Sequence, residues 1–406
     1  MDIFKKVYEF KTANEARALG IYPYFHALES MQDIEVQMEG KRKIMIGSNN
    51  YLGLTGDPRV IEASIEATKL FGSGVSGSRF LNGTLSLHLN LEKDLADFMN
   101  KESAMVFSTG FQSNLGIVSA IAGRKDIIFC DRENHASIYD ATRLSYAEMI
   151  RYKHNDMDDL ERLLKDADPK KGKVIVTDGV FSMSGDIAEL PAIVKLAKEY
   201  GARVMVDDAH GIGVIGPNGR GTAAYFDLED DVDLIMGTFS KSLASLGGFL
   251  VADEAIVDYV RHHARSFIFS AAITPANAAA AKTALDIIKA EPERVQALLD
   301  ISAYMRKQLL NRGLKIIDSS ITPIIPIYTY TPMRTLVACK MLFDRGVYVN
   351  PVIPPAVPEG QCLIRTSYTS THTKALMDEA ADIIADVLNT IPESEEAVMM
   401  ELMKNG

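Results

Sequence analysis

From about residue 56 the chain alternates short apolar runs with segments of helical pattern. The runs fall at 104–108, 127–130, 174–177, 203–207, 234–237 and 248–252, and helical stretches such as 160–165 and 190–200 separate most of them. That rhythm predicts a mostly parallel sheet covered by helices on both faces. Ligands in such sheets bind beyond the carboxyl ends of the strands.

The flanking segments read differently. Residues 4–19 predict an amphipathic helix, with Phe4, Val7, Tyr8 and Phe10 set among charges. It is an arm that packs on its own body or on a partner subunit; contact with a membrane surface is the weaker reading, because acidic residues are mixed in. Residues 253–311 read as largely helical, with alanines clustered at 271–284. Strands are expected at 324–329, 347–350 and 362–367, with helices near 332–345 and 373–389. The expected organisation is an N-terminal arm over 1–55, a large α/β domain over 56–292 and a smaller α+β domain over 293–406. The tail, 393–406, is acidic and then Met-rich, and reads as a loosely held helix. With 406 residues the chain exceeds the roughly 250–300 at which single cores stop growing, so more than one domain is expected.

Composition narrows the function. A net charge of −11 repels polyphosphate partners and argues against general nucleic-acid binding, while leaving room for a local basic pocket. The three cysteines, Cys130, Cys339 and Cys362, are far apart and odd in number, which fits neither a disulfide framework nor a metal site. The N-terminus lacks an apolar signal core, and no apolar run reaches the about 18 residues of a membrane span, so the cytoplasm is the expected location.

Four short segments carry chemistry. In Gly237-Thr238-Phe239-Ser240-Lys241-Ser242 an apolar run leads into a small-residue loop with one lysine. Lys241 is placed to form an imine with an aldehyde cofactor, and Thr238 and Ser240 offer hydroxyls to a phosphate. Read alone, the loop fits an exposed turn with a solvated lysine equally well. Upstream, an apolar strand ends in Asp207-Asp208-Ala209-His210. A carboxylate there can pair with a protonated pyridine nitrogen and keep the ring of pyridoxal 5′-phosphate (PLP) an electron sink. Asp207 is the candidate, Asp208 its structural twin, and His210 can reach the cofactor's 3-hydroxyl. Gly110, in Ser108-Thr109-Gly110-Phe111, opens a helix whose free N–H groups suit a phosphate. His135, in Asn134-His135-Ala136-Ser137, can lie over a pyridine ring and bind a carboxylate, or simply cap a helix.

Together with the run 47–54, Gly77-Ser78-Arg79 and the segment 178–183, these segments resemble the α-oxoamine synthase family of fold-type I PLP enzymes, over about residues 20–390. The resemblance implies a homodimer in which Lys241 holds PLP and moves protons, and His135 stacks on the ring. It further implies that Gly110, Phe111, His210, Thr238 and Ser240 position ring and phosphate, and that Ser182 lies near the ring oxygen. Asn50 and Arg365 become candidates for the amino-acid carboxylate. Ser270 and Thr274 become candidates for completing the phosphate site of a second subunit. Ser240 before the lysine, the run 78–84, Asn350-Pro351, the proline turn 354–358 and Arg365 with 371–373 are similar to the branch that joins L-serine to palmitoyl-CoA. That branch releases CoA and carbon dioxide and yields 3-ketodihydrosphingosine, the first step of sphingolipid synthesis. The alternatives are 8-amino-7-oxononanoate synthase, 2-amino-3-ketobutyrate CoA ligase, and an inactive regulatory subunit of the same fold. The presence of Lys241, His135 and Asp207 together speaks against the last.

Overall fold

The structure is a computed structural model that describes residues 2–318, 320–394, 396–398 and 400. The chain divides into two compact units, residues 49–299 and residues 1–48 with 300–406.

The larger unit is built on a seven-stranded sheet. Its order is Ser103–Phe107, Gly248–Ala252, Leu234–Thr238, Arg203–Asp207, Gly172–Asp178, Asp126–Asp131 and Glu148–Tyr152. All neighbouring pairs are parallel except those made by Gly248–Ala252, which runs against both its neighbours. The central strands are apolar along their length because helices cover both faces and alternation would bury polar groups. Leu234–Thr238 and Gly248–Ala252 are buried at every position. The apolar pattern locates six strands to within about two residues of their observed ends. It misses the seventh, Glu148–Tyr152, an edge strand with charged residues and a half-exposed face.

Local signals set the helix ends. Pro58–Phe71 starts on Asp57, whose side chain accepts from the Arg59 N–H, with Pro58 in the first turn. Pro275–Ala290 starts in the same way on Thr274. Its alanines are buried at 278–281 and 284, and it packs on Pro58–Phe71. The helical reading of 253–311 corresponds to Glu254–His263, Arg265–Ile268, Pro275–Ala290 and Glu293–Asn311.

In the smaller unit, Cys362–Ser367 lies between Ile324–Tyr330 and Asn350–Val352, antiparallel to both. Pro332–Asp344 and Lys374–Thr390 pack beside one another, and the core centres on Ile325, Ile327, Leu342, Ile364, Met377 and Ile384. A hairpin of Glu35–Met38 and Lys41–Met45 takes Val347–Tyr348 as a third, parallel strand, so residues read as an arm belong with the C-terminal part of the chain.

One expectation needs correcting. Residues 4–19 do not form a continuous helix: Lys5–Tyr8 and Thr12–Ala18 are separate short pieces, and neither buries a residue. Without a packed face there is little to carry a helix across Glu9–Lys11. Residues 401–406 of the Met-rich tail lie outside the described residues. Among the described residues, no helix is long and apolar enough to cross a membrane.

Candidate active site

A cavity of about 330 Å³ opens at the carboxyl ends of the parallel strands of the larger unit. Gly110, Phe111, His135, Asp207, His210, Thr238, Ser240 and Lys241 all line it. These residues come from four separate strand ends and meet only because parallel strands finish on the same edge of the sheet.

One side of the cavity is shaped for an anion. Thr109 caps the helix Gly110–Ile121, its hydroxyl accepting from the Gln112 N–H at 3.1 Å. The N–H groups of Gly110 and Phe111 belong to the first turn, which has no intrahelical acceptors. Beside them Thr238 Oγ1 lies 3.0 Å from Ser240 Oγ and donates to the Gly247 carbonyl at 3.0 Å. Gly110 permits this approach, since a Cβ there would stand 2.8 Å from Thr238 Oγ1.

Lys241 follows in the same loop and is half-buried. The loop is pinned on both sides of it. Phe239 is fully buried and stacks on Phe249 at 5.6 Å, and its N–H donates to Gly247 O at 3.0 Å. The Ser245 N–H returns to Phe239 O at 2.8 Å. The backbone that carries Lys241 is therefore held in place on both sides of it.

The two neighbouring aspartates part company. Asp207 ends its strand and lines the cavity, accepting from Asn114 Nδ2 at 2.6 Å and from the Ala209 N–H at 3.1 Å. Asp208 points elsewhere and accepts from the Thr222 N–H at 2.7 Å and the Thr222 hydroxyl at 2.6 Å. A Cβ on Gly221 would come within 1.9 Å of Asp208 Oδ2, so this pocket fits the short carboxylate closely. Burial pushes the Asp208 carboxyl up to about 6.

His135 caps the helix Ala136–Ser145 and also lines the cavity. Its ring meets Phe111 edge-on, with centroids 6.4 Å apart. His210 is buried, with Nδ1 2.7 Å from the hydroxyl of the fully buried Tyr51.

The remaining candidates lie off the cavity wall. Ser182 is half-buried, and Asn50 is buried with its Oδ1 accepting from the Thr55 N–H at 3.3 Å. Ser270 Oγ accepts from Gln112 Nε2 at 3.1 Å, and Thr274 caps its helix. Arg365 belongs to the smaller unit, buried, 3.5 Å from Ser367 Oγ. Arg79 of the Gly77-Ser78-Arg79 motif makes a buried two-point pair with Glu92, at 2.8 and 3.0 Å.

Sequence reasoning assigned no role to Asn114, Ser137, Asp178 or Tyr51. Asp178 also lines the cavity and accepts from the His135 N–H at 3.2 Å. Burial, reinforced by the neighbouring Asp207, raises its carboxyl well above the ordinary range. All four stand inside or beside the quoted motifs, but nothing local marks their partners.

An anion cradle, an amine on a pinned loop and a buried carboxylate in one cavity match the phosphate, aldehyde and ring nitrogen of PLP in kind. The volume also lies in the ordinary range for a small-molecule site.

Residues 41–384 match the family model for aminotransferase class I and II, and the chain belongs to that family, with its fold-type I architecture. It is 50% identical over 378 residues to a serine palmitoyltransferase of Bacteroides thetaiotaomicron, covering 93% of this chain and 96% of that one. A serine palmitoyltransferase of Sphingobacterium spiritivorum is likewise 50% identical over 378 residues, with 93% and 94% covered. A solved structure of a lysine-to-alanine variant of the S. paucimobilis serine palmitoyltransferase, with a PLP–myriocin aldimine bound, superposes with a TM-score of 0.92 at 34% identity, covering 96% of this chain and 100% of that one.

Proposed function

We propose that the chain is a PLP-dependent acyltransferase that condenses L-serine with a long-chain acyl-CoA, palmitoyl-CoA in the first instance. The products are 3-ketodihydrosphingosine, CoA and carbon dioxide. The observation that carries this reading is the convergence of Lys241, Asp207, His135 and the Gly110 helix end on one cavity. The 50% identity to serine palmitoyltransferases supports the choice of substrates within the family.

When bound, PLP supplies an aldehyde that captures the amino acid and a protonated ring that draws electrons from its Cα. The chain's residues do the rest. The first-turn N–H groups of Gly110 and Phe111, with Thr238 and Ser240, hold the phosphate. Asp207 keeps a negative charge at the ring nitrogen. His210, steadied by Tyr51, and Ser182 serve the ring oxygen. Lys241 Nζ anchors the cofactor, takes the proton from Cα, and returns one there after carboxylate loss. His135 would cover the ring and, with Asn50, bind the amino-acid carboxylate. The Cα–acyl bond forms as the thioester C–S bond breaks, and the carboxylate then leaves as carbon dioxide.

The enzyme acts as a cytoplasmic homodimer in this reading, with Ser270 and Thr274 completing the phosphate site of the opposite subunit. Exposed apolar side chains on the larger unit support an interface there: Phe269 is 78% exposed and Leu81 77%. Mass spectrometry of products formed from serine, alanine and glycine with acyl-CoAs of several lengths tests the assignment. The expected result is a higher kcat/KM for serine with a long-chain acyl-CoA than for any other pair. A preference for alanine with pimeloyl-CoA overturns it.

A further inference from the structure

Four side chains lining the cavity form one hydrogen-bonded line. Asn114 Nδ2 stands 2.6 Å from Asp207 Oδ2 and 2.8 Å from Ser137 Oγ. Ser137 Oγ lies 2.7 Å from His135 Nδ1, and the Ser137 backbone N–H points at the same nitrogen from 3.3 Å. Asn114 and Ser137 are fully buried, so solvent does not compete for these bonds.

The direction of each proton follows from the charged end of the line. Both oxygens of Asp207 face donors, the Ala209 N–H at one and Asn114 at the other, as a carboxylate that only accepts requires. Asn114 must therefore turn its NH₂ group to Asp207; the opposite orientation would press its carbonyl oxygen against the carboxylate. The second amide hydrogen then goes to Ser137 Oγ. Having accepted there, Ser137 has its own hydrogen to give, and His135 Nδ1 is the acceptor at 2.7 Å. The Ser137 N–H reinforces the result, since two donors aimed at one ring nitrogen leave no place for a hydrogen on it. A neutral His135 ring then carries its hydrogen on Nε2.

We infer that Asn114 and Ser137 are positioning residues that lock His135 in its Nε2–H tautomer, so that the ring offers the cavity a donor for a substrate carboxylate. The inference rests on the proposed role of this cavity as an amino-acid site. It also ties His135 to Asp207 through two neutral side chains: the charge that stabilises the protonated ring of the cofactor orients the group that holds the substrate.

Solid-state ¹⁵N NMR of the cofactor-loaded enzyme, labelled in its histidine rings and assigned by the signal lost in His135→Asn, reads the tautomer directly. The expected result is hydrogen on Nε2 of His135 in the unaltered chain and a measurable Nδ1–H fraction in Ser137→Ala, where only the longer backbone N–H contact still disfavours it. In Ser137→Ala the KM for serine is expected to rise about tenfold, with kcat changed by less than about threefold. Ser137→Thr, which keeps the hydroxyl, is expected to restore the single tautomer and the KM. Hydrogen on Nδ1 in the unaltered chain overturns the inference, as does an unchanged tautomer in Ser137→Ala. An enzyme with the Nε2–H tautomer that neither binds nor turns over serine overturns the amino-acid assignment of the cavity instead.

Discussion

The Tyr51 hydroxyl lies 2.7 Å from His210 Nδ1, and both side chains are buried. A hydrogen bond between buried groups fixes the orientation of a ring that could otherwise turn about its Cβ–Cγ bond. Tyr51→Phe keeps the aromatic packing and removes the bond. We expect kcat/KM for serine to fall about tenfold with PLP still bound, since one such bond is worth about 1 kcal/mol and the loss of its orientation adds to that. Steady-state kinetics beside a cofactor titration provide the check. Unchanged kinetics would show that His210 does not depend on Tyr51 for its placement.

Lys241→Ala is expected to abolish turnover and covalent retention of PLP, because the pinned loop from Phe239 to Gly247 puts this amine at the cavity. Borohydride reduction and peptide mapping of the unaltered enzyme locate the attachment. Cofactor recovered on any other lysine removes Lys241 from its role.

The two aspartates should separate cleanly. Asp207→Asn is expected to lower kcat by more than about a hundredfold, because a neutral amide no longer holds the ring nitrogen's proton. Asp208→Asn should leave catalysis nearly intact and change stability instead. The folded carboxyl of Asp208 titrates at about 6, above the ordinary carboxylate value, because burial disfavours its charge. Between that ordinary value and about 6 the folded chain holds a proton that the unfolded chain has lost, so stability falls as pH rises through this window. Asparagine removes the charge, and its Oδ1 and Nδ2 can pair with the Thr222 N–H and hydroxyl respectively. Asp208→Asn is therefore expected to be more stable than the unaltered chain at pH 8, by at most about 3 kcal/mol, with the gain shrinking towards pH 4. Thermal melts across that range decide it; a variant less stable at pH 8 would mean that the carboxylate's bonds to Thr222 outweigh its burial.

Sedimentation is expected to show a two-chain species. Thr274→Asn preserves the helix cap while removing the hydroxyl assigned to the opposite phosphate site. Mixing that chain with Lys241→Ala should recover about a quarter of the unaltered activity, because half the dimers are mixed and each holds one intact site. No recovery from two chains that do exchange would place each site within a single subunit.

Much of this arrangement was legible in the sequence because its signals are local. The strand Arg203–Asp207 announces itself by its apolar run, and the carboxylate at its end by position. The choice of Asp207 over Asp208 at the cavity agrees with the geometry, although the reason, a Thr222 pocket for Asp208, could not be read. Asn114 lies 93 residues before the Asp207 it touches, and Tyr51 lies 159 before His210; spacing says nothing about pairs that only tertiary folding brings together. The hairpin of Glu35–Met38 and Lys41–Met45 escaped for a different reason: its pairing is local, but Glu35, Lys41, Arg42 and Lys43 break any apolar run. The pattern at 4–19 erred the other way, because an amphipathic stripe specifies a helix only where something covers the stripe.

Glu148–Tyr152 was illegible because its charges broke the apolar run, and those same charges have work to do at the rim of the sheet. An open flank of unpaired backbone groups is a template on which another chain could add a strand. Here the row is only five residues long, and it carries Glu148 and Arg151 where a recruiting strand would carry aliphatic side chains. A strand this short and charged is a poor template for another chain on that side of the sheet.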